Sequence, residues 1–118
     1  MAEQTTRLQI RDFKGISIVE FADRKILDEI CIMEIQEEME KLVEAKSGGN
    51  ILLCFKSVEH LSSAALGMLI TLKNKIEGKS GKLKLSDINP QIFEVFKITR
   101  LNKMFDIYPN IDVARAAF

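Results

Sequence analysis

Ile51-Leu52-Leu53-Cys54-Phe55 is apolar at every position. A strand with one face in water alternates polar and apolar residues, whereas a strand covered on both faces reads as a continuous apolar run. This stretch therefore predicts a central strand. A short loop follows, and then a helix-compatible run from Ser63 to Glu77, with Ala65, Leu69, Leu72 and Ile76 on one stripe. Leu83 and Leu85, bracketed by lysines after Gly81, predict the next strand. A strand–helix–strand order implies parallel neighbours joined by a right-handed crossover.

The rest of the chain extends that unit. Leu8 and Ile10 alternate with polar residues, Asp12-Phe13-Lys14-Gly15 reads as a turn, and Ile16, Ile18 and Phe21 continue as a second strand. Together they predict an N-terminal hairpin. Ala22 to Lys25 is a polar connection. Asp28 is placed to cap the following helix, whose stripe is Ile32, Ile35, Met39, Leu42 and Val43. Its glutamates form a solvated face, and Ser47-Gly48-Gly49 stops it. Asn89-Pro90 predicts another helix start, with Ile92, Val95, Phe96 and Ile98 on its apolar side. Met104 to Tyr108 predicts an edge strand, and Pro109-Asn110 opens a closing helix from Ile111 to Ala117. The expected fold is α/β, one domain over residues 1–118. It is a mixed, mostly parallel sheet of about five strands with four helices packed on it.

Composition excludes several classes. The 118 residues suffice for a core without metal or disulfides. Formal charge is zero, so no basic surplus points to nucleic acid. Cys31 and Cys54 have no paired spacing and read as buried, reduced thiols. The first six residues do not make a signal peptide, and no apolar run approaches the ~20 residues of a membrane span. These features predict a cytosolic protein without cofactor or metal.

The residues with most chemical interest are Ser62 and Ser63, where the loop after the central strand meets a helix start. Such a serine can be a cap, an anion contact or a phosphate acceptor; the sequence favours Ser62 as the cap with Ser63 facing out and leaves the reverse open. Ser63, Gly67, Thr71 and Asn74 form a small, polar stripe that would admit a partner closely. Met68 is a candidate exposed anchor for such a partner. His60 is the only histidine. Neither serine has the flanking glycines of a hydrolase elbow, so a catalytic serine–histidine pair is not expected. Ser47-Gly48-Gly49-Asn50 lacks the lysine and serine of a P-loop.

Ser62-Ser63-Ala64-Ala65-Leu66-Gly67, Gly81-Lys82-Leu83-Lys84-Leu85 and the segment Phe96 to Phe105, in this order, resemble the STAS family of sulfate transporters and anti-sigma factor antagonists. The family signature after the central strand is Asp-Ser-Ser/Thr-Gly-Leu-Gly. Here Ser62, Ala64 and Ala65 depart from it, while the acceptor serine, Leu66 and Gly67 remain. The resemblance implies that Ser63 is phosphorylated by an anti-sigma factor that is also a serine kinase. It also implies a partner surface around the helix start (Ser62, Ala64, Gly67, Met68, Thr71) and the loop Asp23, Arg24 and Lys25, which without the resemblance is only a solvated turn. The implied role is an anti-sigma factor antagonist. Three alternatives stay open: an unswitched STAS scaffold that assembles with similar domains, a small nucleotide-binding protein, and an enzyme. Homodimerisation also stays open.

Overall fold

The computed structural model describes residues 8–45 and 49–118. Strands β1 (Leu8–Phe13) and β2 (Ile16–Phe21) form the hairpin, followed by β3 (Lys25–Ile26) and α1 (Glu29–Ala45). Then come β4 (Asn50–Cys54), β5 (His60–Leu61), α2 (Ser63–Gly78), β6 (Lys82–Ser86) and α3 (Pro90–Ile98). A 3₁₀ turn (Leu101–Lys103), β7 (Asp106–Tyr108) and α4 (Ile111–Ala116) complete the chain. The main sheet has five strands in the order β1-β2-β4-β6-β7. Only β1 is antiparallel to its neighbour. This is the mixed α/β architecture expected from the sequence.

The central run behaves as its composition requires. Ile51, Leu53 and Phe55 join the core shared with α1, α2 and α3, while Leu52 joins a smaller cluster with Ile16, Ile18 and Ala114 under α4. Each of these five central residues, 51 to 55, is at most 1% exposed. Burial on both faces explains why the run shows no alternation. On the α4 side, Lys84 is also buried. Burial pushes its ammonium pKa down, but the Asp106 carboxylate at 3.1 Å and the Tyr108 hydroxyl more than offset that, so the net shift is upward.

Several local expectations need correction. The first strand runs on through Asp12 and Phe13, leaving a two-residue turn at Lys14 and Gly15. Both have positive φ, +50° and +84°, which suits the right-handed twist of a hairpin. The last strand starts at Asp106 rather than Met104, because the 3₁₀ turn delivers Phe105 into the core against Phe96. Val95 and Ile98 do not face the core, and Met33 and Met104, which their spacing placed mostly in the core, are likewise exposed. Ile92 and Phe96 alone are the buried residues of α3. Ser47 and Gly48, read as a helix stop, lie outside the described residues, as does the start of the chain.

Candidate functional site

Ser62 is the N-cap of α2. Its backbone is extended (φ −87°, ψ 167°), and its Oγ accepts a hydrogen bond from the Ala65 N–H at 3.1 Å. That bond satisfies one of the amide donors that a helix start leaves without an intrahelical acceptor. Ser63 is therefore the first residue of the helix, and it is exposed. The first turn of α2 carries no acidic residue, so the positive end of the helix dipole is not offset there by a carboxylate of its own. Ala64, Gly67 and Thr71 are also exposed, and the Thr71 hydroxyl donates back to the Gly67 carbonyl at 3.1 Å. A Cβ placed on Gly67 would meet no heavy atom within 4 Å, so nothing inside this chain requires a glycine there.

The loop between β4 and α2 is held from below and from the side. Phe55 stacks obliquely on Phe21 at 5.0 Å, and Val58 is 2% exposed. Asn89, which caps α3 by accepting from the Ile92 N–H at 2.8 Å, also donates to the Val58 carbonyl at 3.3 Å. From the side comes a feature the sequence reading missed. Strands β3 and β5 pair in parallel, Lys25 opposite His60 and Ile26 opposite Leu61. The Glu59 N–H donates to the Arg24 carbonyl at 2.7 Å, and the Ser62 N–H to the Ile26 carbonyl at 3.1 Å. The Arg24 guanidinium donates twice to one Glu59 carboxylate oxygen, at 2.8 and 3.0 Å. This two-residue ladder ties the Asp23–Lys25 loop to the segment that ends in Ser62. Arg24 and Lys25 are exposed and Asp23 is half-buried.

Met68 does not belong to this outer surface. It is 5% exposed and lies in the main core. Successive residues of a helix are about 100° apart, so the neighbour of an outward Gly67 turns well towards the interior. The exposed small stripe thus consists of Ser63, Gly67, Thr71 and Asn74, with Ala64 beside it.

Other chemistry finds little here. His60 is exposed on β5. Among the described residues, no group of three His, Cys, Asp or Glu side chains converges to hold a metal ion. No helix among them is long and apolar enough to cross a membrane. Both thiols are buried and neither forms a disulfide. Burial pushes the Cys54 thiol up to about 11, helped by the Asp87 carboxylate whose oxygen lies 3.5 Å from Sγ, so it is protonated and unreactive at neutral pH.

A five-stranded mixed sheet with a capped, exposed serine at the start of the helix after its central strand defines a protein class. The chain belongs to the STAS domain family, whose model matches residues 8–114, and within it to the anti-sigma factor antagonists. It is 30% identical over 83 residues to the anti-sigma-B factor antagonist of Bacillus subtilis, covering 70% of this chain and 76% of that protein. Its fold matches a STAS-domain anti-sigma factor antagonist from Planctomyces limnophilus with a TM-score of 0.85. That match has 16% identity and covers 93% and 96% of the two chains. The phosphorylated form of the Bacillus cell fate determinant SpoIIAA matches with a TM-score of 0.70, at 12% identity over 94% of this chain and 99% of that one.

Proposed function

We propose that this chain binds an anti-sigma factor that is also a serine kinase, and that phosphorylation of Ser63 releases it. The observation that carries this reading is the exposed Ser63 hydroxyl at the first position of α2, next to a cap supplied by a different residue. Modification of Ser63 leaves the Ser62 cap intact, so the charge can change while the fold does not. The docking surface comprises Ser62, Ser63, Ala64, Gly67 and Thr71, joined to Asp23, Arg24 and Lys25 through the β3–β5 ladder. Met68 is withdrawn from it because it is buried.

The switch is electrostatic. A phosphate adds about −1.5 to −2 charges and three strong acceptor oxygens. Within this chain the helix start tolerates the anion. A close, dry partner surface does not, because desolvating an unpaired dianion is expensive. Weakening the complex a thousandfold takes about 4 kcal/mol, which one desolvated phosphate can supply. The anti-sigma factor kinase isolated with the chain from its own cells is the reagent for the test. Wild type and Ser63→Ala should bind it equally, and Ser63→Asp more weakly. Equal affinity of all three would remove the switch.

One observation favours a second reading. Ser62 is a neutral cap where the family signature has an aspartate, and a kinase that uses that carboxylate would act poorly here. The chain would then be an unswitched STAS scaffold, and ATP with Mg²⁺ would leave Ser63 unmodified in the complex.

A further inference from the structure

Two exposed apolar patches lie on the helical layer, one on each side of α2. The first contains Leu27, Ile30 and Met33, which are 48%, 66% and 57% exposed. Their spacing of three places Ile30 and Met33 on the outer face of α1, among the exposed carboxylates of Glu29, Glu34 and Glu37. The second contains Val95, Ile98 and Met104, which are 39%, 78% and 45% exposed. It is rimmed by the exposed cations of Lys97, Arg100 and Lys103, of which Lys97 pairs with Glu94 at 3.2 Å, leaving a net positive rim. Right-handed crossovers between β2, β4, β6 and β7 put α1, α2 and α3 side by side on one face of the sheet. Lys75 of α2 and Lys79 just after it reach Glu40 and Glu44 of α1 on one flank. Leu66 of α2 shares a cleft with Ile92 and Val95 of α3 on the other.

We infer that the chain associates with a second copy of itself, the acidic-rimmed patch of α1 meeting the basic-rimmed patch of α3. Each patch has the apolar centre and charged rim of a protein interface, and the two rims have opposite sign. Like would not pair with like, since two α1 patches would repel and so would two α3 patches. Both patches belong to one layer, so two facing copies can make the contact twice and cover α2 between them, which makes self-association and docking at Ser63 mutually exclusive. The apolar centres are small, so the association is weak.

The test is sedimentation of the full chain over a concentration series. Wild type should pass from monomer to a larger species and fall back in high salt. Ile30→Lys, set against the basic rim, and Ile98→Glu, set against the acidic rim, should each associate at least tenfold more weakly. Both sites are exposed, so their thermal midpoints should match wild type, which separates lost contact from lost fold. Mixing the two variants should restore association. Each retains one intact patch, and across the second contact the introduced lysine then meets the introduced glutamate. A chain that stays monomeric at several hundred micromolar leaves the patches to a different protein and overturns the inference. So do single variants that associate as wild type does, or a mixture that fails to recover.

Discussion

Gly67 separates what the fold needs from what a partner needs. It sits at the fifth position of α2, has no positive φ, and would give an added Cβ open space. Glycine in a helix interior is about 0.8–1 kcal/mol less favourable than alanine. Gly67→Ala should therefore stabilise the isolated chain by nearly that amount. For a domain of this size such a gain raises the thermal midpoint by about 4 °C. Calorimetry or thermal circular dichroism on the two proteins reads it directly. If Gly67 is small because a partner approaches α2 there, the same substitution should weaken binding of the anti-sigma factor kinase while it stabilises the fold. A methyl group in a tight contact of this kind costs about 1–3 kcal/mol, or roughly five- to over a hundredfold in affinity. Stabilisation with unchanged binding would refute the argument that α2 presents this stripe to a partner. Loss of stability would refute the helix geometry itself.

Three further outcomes follow from the same structure. Gly81→Ala should destabilise the fold by about 1–3 kcal/mol, because its Cβ would fall 2.5 Å from the Gly49 carbonyl oxygen and 3.0 Å from Ile76; chemical denaturation measures it. Ser62→Ala should cost about 1 kcal/mol through loss of the α2 cap, whereas Ser63→Ala should leave stability within about 0.5 kcal/mol of wild type; thermal melts of the two variants compare them. The buried Cys54 thiol ionises near 11 in the folded chain and near 9 when exposed. Its raised pKa leaves stability untouched below pH 9, and stability then falls as pH rises towards 11, because the unfolded chain loses that proton first. The loss should total about 2–3 kcal/mol, and Cys54→Ala should flatten that alkaline slope.

Much of this architecture was legible in the residues because it rests on periodicity and caps. The unbroken run from Ile51 to Phe55 marked the strand buried on both faces. Asp28, Ser62, Asn89 and Asn110 each sit at a helix start and accept from an amide within the first turn. What escaped the sequence was of two kinds. Lys25–Ile26 and His60–Leu61 form a ladder of two residues each, too short for any alternation to show, yet that ladder joins the charged loop to the serine. The exposure of Met33, Val95 and Ile98, and the burial of Met68, depend on how far each helix is rotated against its neighbours. On α3 apolar residues surround most of the helix, so the pattern identifies a helix without choosing its inward face. Ser63 was singled out by the resemblance rather than by its own residues; its place just outside the cap, and the surface around it, became visible only once the chain had folded.

The most direct measurement is a phosphopeptide map of the chain purified from its own cells, read together with the affinity of each form for its anti-sigma factor kinase. The account predicts a single phosphoryl group on Ser63, and tight binding only by the unmodified form. A Ser63 peptide that stays unmodified while ATP, Mg²⁺ and the bound kinase are present would contradict it.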